Sequence, residues 1–274
     1  MLAVLLFGLG VIFFIAANWM THSPVPMFAG LQLLLLGACI AASRTSRWRA
    51  PLALLGFLAT GALLAFFGQY YQTGSDLWQL FAIWAGLCIP LVFACRSDLC
   101  WSAWAIVAMT AISTWVQGFS RNGFLLREGA FLEQLLAIVW ACALCALLSR
   151  PLRRLTGAGD WSMNLSVLFA VLLACGCGLG GLLDSEALLY PLSFVVLALA
   201  AGHFGRQAYD IRALSMCALG IDVLVAGGSV RAAIETRSVI TGLLLVGITI
   251  LVTLYITVIS IRSLAEEHAK ENAP

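Results

Sequence analysis

Long apolar runs separated by short polar stretches fill almost the whole chain, near residues 1–19, 26–43, 50–68, 77–95, 100–117, 130–149, 162–183, 187–204, 213–229 and 238–261. A run of about 20 apolar residues is what an α-helix needs to cross a hydrocarbon core about 30 Å thick. Backbone N–H and C=O groups in hydrocarbon have to be satisfied within their own segment, and continuous runs lack the alternation of barrel strands. The expected fold is therefore all-α: a polytopic transmembrane bundle of about ten membrane-spanning helices. It forms a single transmembrane domain over 1–261, followed by a short charged tail, 262–274.

Of the 274 residues, 62% are hydrophobic and 10% charged, against roughly 25% charged in a soluble domain. Once the spans are set aside, only connectors and the tail remain, which leaves no room for a separate catalytic domain. The formal net charge is +2, and Lys270 is the sole lysine. Without a basic patch, nucleic acid is excluded as a partner. No Lys or Arg precedes the first apolar run, so it is read as a retained span and not as a secretory signal.

Arginine placement gives the orientation. Arg44, Arg47, Arg49, Arg96, Arg150, Arg153, Arg154, Arg206, Arg212 and Arg262 fall on one side, and Arg121, Arg127, Arg231 and Arg237 on the other. The positive-inside rule then puts both termini in the cytoplasm. Trp19, Trp48, Trp78, Trp101, Trp115 and Trp161 lie at expected span ends and read as interfacial anchors, whereas Trp84, Trp104 and Trp140 lie deeper and read as packing. The nine cysteines fall mostly inside or at the ends of spans, as small apolar residues do. Cys142 and Cys145 have redox or metal spacing, but no second pair or nearby His completes a site, and they read as helix packing over metal or redox chemistry.

The densest polar segment joins the third and fourth spans: Gln69, Tyr70, Tyr71, Gln72, Thr73, Gly74, Ser75, Asp76, Leu77, Trp78, Gln79. Gly74 suits a positive φ, and Asp76 with Gln79 has capping-box spacing for the next helix. Gln69, Tyr70, Tyr71 and Gln72 exceed what a turn needs. With Thr73, Asp76, Gln79 and Asn18 at the end of the first span, they form a candidate outer polar cluster.

The motif Phe14-Ile15-Ala16-Ala17-Asn18-Trp19, with the Gln69–Phe81 segment, resembles the uncharacterised bacterial membrane family known as domain of unknown function 2157 (DUF2157). The resemblance extends to Arg206-Gln-Ala-Tyr-Asp-Ile-Arg-Ala-Leu before the ninth span. It implies a multi-pass protein of the bacterial inner membrane and no particular reaction. The family often carries a polar segment ahead of its first span, whereas Met1 here begins within that span.

Asp222 is the only acidic residue expected deep within a span. Holding it there ionised costs about 2.5–3.5 kcal/mol on insertion scales, so it has to face the interior with a partner or carry a proton. Asp222 and Glu133 are the candidate intramembrane ion or hydrogen-bond site, although Glu133 also suits a helix N-terminus. His203, Arg206, Tyr209 and Asp210 read as an interfacial charge cluster. Gly176 and Gly180 form a GxxxG for close helix contact, with Gly227 and Gly228 serving likewise.

No Ser/His/Asp order, His-Glu-x-x-His motif or paired carboxylates at one depth is present, so the chain is read as a non-enzyme without catalytic residues, metal or cofactor. Two functions fit. One is a membrane scaffold or sensor whose partners are the lipid bilayer and another membrane protein. The other is a small-solute or proton-coupled carrier with Asp222 as the ion-linked group. The carrier reading draws on two five-span halves, in which Phe67-Gly68-Gln69 and Phe204-Gly205-Arg206 occupy matching ends, as in an inverted repeat.

Overall fold

The computed structural model describes residues 2–18, 24–71, 74, 76–117, 131–183, 188–236 and 239–271. These form helices α1 (Leu2–Asn18), α2 (Pro24–Arg44), α3 (Arg49–Tyr70), α4 (Leu77–Cys95), α5 (Asp98–Gln117), α6 (Phe131–Leu148), α7 (Arg153–Thr156), α8 (Asp160–Leu183), α9 (Leu189–Gly202), α10 (Ile211–Glu235) and α11 (Val239–Glu271). No strand occurs among the described residues. Nine helices among them are long and apolar enough to cross a membrane; α1, at 17 residues, matches the first expected span. The protein is a polytopic all-α membrane protein. The charged tail continues α11 as helix to Glu271.

The chain folds into two compact units, residues Met1–Trp115 with Ala143–Ser166, and Val116–Cys142 with Val167–Pro274. This division differs from two consecutive five-span halves, because the second part of α6 and the start of α8 join the first unit. The tripeptides expected to match also differ in backbone. Phe67-Gly68-Gln69 continues the α-helix of α3, whereas Phe204-Gly205-Arg206 lies in a π-turn over His203–Gln207.

In the first unit α3 is the hub, burying Ala53, Leu54, Phe57, Leu58, Ala59, Ala62 and Phe66. Its neighbours approach through small residues. A Cβ built on Gly8 of α1 would fall 2.6 Å from Leu58 Cδ1. One built on Gly61 would fall 2.3 Å from the Trp84 ring of α4. With that space open, the Trp84 indole donates to the Phe57 carbonyl at 2.9 Å, and Trp104 of α5 donates in turn to Ala85 of α4 at 2.9 Å. Buried indoles need an acceptor, so these bonds set the facing of α3, α4 and α5 as well as filling space. The deeper tryptophans Trp84 and Trp104 thus serve packing.

In the second unit α10 is the hub. Gly220 lies against Val171 and Cys175 of α8 and Leu197 of α9. Gly227 lies against Leu179, and Gly228 against the Tyr190 hydroxyl. The GxxxG expectation needs correction. Gly176 has open space where its Cβ would lie, and the close approach in that stretch of α8 is made by Gly178, packed against Leu224 and Ser193.

Candidate functional sites on α10 and at the arginine-bearing edge

Asp222 sits near the middle of α10 and is buried, with 8% of its surface exposed. Thr257 of α11 donates its hydroxyl to Asp222 Oδ1 at 3.0 Å, while Oδ2 is buried without a hydrogen-bond partner among the described residues. The reason is helical geometry. Gly220 and Leu224 face α8 and α9, so the residue midway between them turns toward α11. A lone buried carboxylate oxygen in an apolar setting is costly, so this geometry leaves a place for one further donor.

Glu133 lies in the first turn of α6, half-buried, where an acid complements the helix dipole. Its neighbour Gln134 is the more buried of the two, and Gln134 Oε1 has no partner among the described residues. Asn164 Oδ1 and Ser193 Oγ are in the same state. Each is an uncharged polar residue of a membrane helix, a signal too common in such helices to have singled it out.

The residues of the expected interfacial cluster near His203 make the following contacts. His203 Nδ1 and Gln207 Oε1 share a 2.9 Å hydrogen bond across the π-turn. Asp210 caps α10 by accepting from the Arg212 and Ala213 backbones. Tyr209 stacks on His268 of α11, ring centroids 3.8 Å apart.

The candidate outer polar cluster is built largely as an aromatic cluster. Phe28 of α2 meets Phe66 edge-on at 4.7 Å, and Phe67, Tyr70 and Tyr71 pack against one another beside it. Gln69 is exposed and Gln79 half-buried. Gly74 has the expected positive φ, +63°. Asp76 occupies the N-cap position of α4, but its side chain makes no capping bond; its backbone carbonyl accepts from Gln79 N at 3.0 Å. The capping box is thus absent. Gln72, Thr73 and the side chain of Asn18 lie outside the described residues.

The most constructed polar region escaped the sequence reading. In the first unit, the connectors 44–50, 95–100 and 149–162 are knitted into one edge. The Asp98 carboxylate, at the start of α5, accepts backbone N–H bonds from Gly159 at 2.8 Å, Trp161 at 3.1 Å and Ser162 at 3.0 Å, capping α8 from another helix. Gly159 has no Cβ to block that carboxylate; one would fall 2.5 Å from Asp98 Oδ2. Arg96 ends α4 in a left-handed conformation, φ 50°. It abuts Gly157, itself left-handed, whose Cβ would fall 2.8 Å from Arg96 Cα. Trp101, expected as an interfacial anchor, is fully buried and donates to the Thr156 carbonyl. That correction has a physical cause: the short α7 folds over Trp101 and supplies its acceptor. Cys100 Sγ reaches the Ala50 carbonyl at 3.6 Å.

This edge carries Arg44, Arg47, Arg49, Arg96, Arg150, Arg153 and Arg154, all exposed except the half-buried Arg153. Its two aspartates are engaged, Asp98 as the cap and Asp160 in an ion pair with Arg153. Trp48, Leu155 and Trp161 are largely exposed beside the arginines.

Comparison with known proteins bears on the first part of the chain. Residues 1–101 match the family model DUF2157, predicted membrane protein. The match spans α1 to the first turn of α5, including the Phe14–Trp19 and Gln69–Phe81 motifs. The Arg206–Leu214 stretch lies beyond the DUF2157 match. No curated protein and no solved structure matches the chain.

Proposed function

We propose that the protein is a non-enzymatic scaffold or sensor of a bacterial inner membrane, with both termini cytoplasmic, that binds anionic lipid and holds a membrane partner there. The observation that carries this reading is the arginine-bearing edge. Its aspartates are consumed by the fold, so its remaining charge is directed outward. Exposed Trp48, Leu155 and Trp161 supply the apolar and amphipathic contacts of an interfacial surface. Juxtamembrane arginines gain about 1 kcal/mol each against an anionic leaflet. Replacing Arg44, Arg47 and Arg154 by Gln should therefore weaken binding of phosphatidylglycerol over phosphatidylcholine by roughly a hundredfold. The check is lipid exchange followed by native mass spectrometry of the intact protein. Equal retention of both lipids by the unaltered protein would remove the reading.

A carrier is the second reading, favoured by the unpartnered Asp222 Oδ2. Thermal stability of the protein and of Asp222→Asn, measured in nanodiscs across pH, cations and small solutes, separates the two. A ligand binding only the folded state stabilises by about 2.7 kcal/mol at a hundred times its Kd. A stabilising solute whose effect is abolished by Asp222→Asn supports the carrier.

A further inference from the structure

Cys95 closes α4 and Cys100 lies in the first turn of α5, joined by the two-residue link Arg96-Ser97. Their sulfurs are 3.2 Å apart, with the Cys100 thiol directed at Cys95 Sγ. A disulfide bond is about 2.05 Å long, so the sulfurs need to close by roughly 1.1 Å, which small side-chain rotations can supply. Cys100 is fully buried, whereas Cys95 is partly exposed. Arg96 follows Cys95 directly in the chain, and Arg49 opens α3 on the same edge. Partly exposed thiols in electropositive surroundings are those that react, and a second thiol within reach resolves the product.

We propose that Cys95 and Cys100 are a redox site oxidised by peroxide, Cys95 being the attacking and Cys100 the resolving thiol. The Cys95 thiolate attacks one peroxide oxygen. An S–O bond forms, the O–O bond breaks, and the departing hydroxide takes a proton to leave as water. Cys100 then attacks the sulfenic sulfur. The S–S bond forms, the S–O bond breaks, and the hydroxyl leaves with the Cys100 proton as a second water. Two thiols are oxidised by two electrons and one hydrogen peroxide is reduced to two waters. A dithiol reductant reverses the step by exchange.

The bond would take Cys100 from the Ala50 carbonyl, releasing one of the contacts that tie the start of α5 to the start of α3. The inference depends neither on lipid binding nor on Asp222.

The test uses the full-length protein in nanodiscs, treated with hydrogen peroxide beside glutathione as an oxidation control, then denatured and blocked with N-ethylmaleimide. Trypsin cuts after Arg96, between the two cysteines, so a disulfide appears as two linked peptides. Expected are this linked pair, loss of maleimide from both cysteines, and recovery of both labels after dithiothreitol. Cys100→Ala should leave a sulfenic acid at Cys95 that dimedone traps. Full labelling of both cysteines when the glutathione is oxidised would overturn the proposal, as would linkage of Cys95 to a different cysteine. The unaltered protein decides the matter even if Cys100→Ala fails to fold.

Discussion

Trp84 reaches the backbone of α3 because residue 61 is glycine: the indole donates to the Phe57 carbonyl at the place where a Cβ on residue 61 would lie 2.3 Å from its ring. In a helix the side chain of residue i+4 leans back over the carbonyl of residue i, so a glycine there uncovers that oxygen. The second unit repeats the device with different residues. Tyr190 donates its hydroxyl to the Leu224 carbonyl at 2.9 Å, and Gly228 leaves the way open.

Gly61→Ala should therefore be costly although alanine favours helices. The rigid indole cannot yield as the end of a leucine can, and overpacking of this kind costs about 1–3 kcal/mol. Equilibrium unfolding in mixed detergent measures it. Wild-type stability in Gly61→Ala would mean that the Trp84 contact is not tight.

Removing the donor in the other pair gives a smaller change. Tyr190→Phe keeps the ring and loses one hydrogen bond, so a loss of about 0.5–1.5 kcal/mol is expected. In Gly228→Ala the phenol is already displaced, and adding Tyr190→Phe should then have little further effect. Additive losses in the double variant would contradict the shared geometry.

Thr257→Val leaves both oxygens of Asp222 without a donor, and a loss near 1 kcal/mol is expected, since interhelical hydrogen bonds in membranes average about 0.6 and reach about 1.7 kcal/mol. A double-mutant cycle with Asp222→Leu measures the coupling directly. A coupling indistinguishable from zero would separate Asp222 from the packing of α10 on α11.

Asp98→Ala removes the acceptor of three backbone N–H groups at the start of α8 and should cost about 2 kcal/mol, the upper range for a lost helix cap. Faster hydrogen exchange at Gly159, Trp161 and Ser162, with α1 and α2 unchanged, would localise the effect. Unchanged exchange at those amides would show that Asp98 is not their cap.

The spans were legible because each is specified by its own composition. Asp222 could likewise be singled out, since an acid within an apolar run is conspicuous, and so could Gly74, whose turn is local. What eluded the sequence depends on distant pairs. Asp98 lies outside the expected fifth span, and nothing marks it as a cap until Gly159 is beside it. Trp101 reads as an anchor until α7 covers it. Gly178, not Gly176, makes the helix contact because the facing of α8 is set by its neighbours, and spacing alone does not fix it. Asp76 is at its cap position, yet its side chain is not used, which backbone position alone cannot foretell.

The cap on α8 also orders events in time. Asp98 leaves the ribosome 64 residues before Ser162, the last of its three donors. At the usual rate of about 5–20 residues per second, that carboxylate waits roughly 3–13 s for its partners. During that interval the chain from α5 to the start of α8 is still being made, so the arginine-bearing edge is unsealed and Trp101 is uncovered. Any factor that assists insertion of this chain meets the first unit as an open form that the finished protein no longer presents.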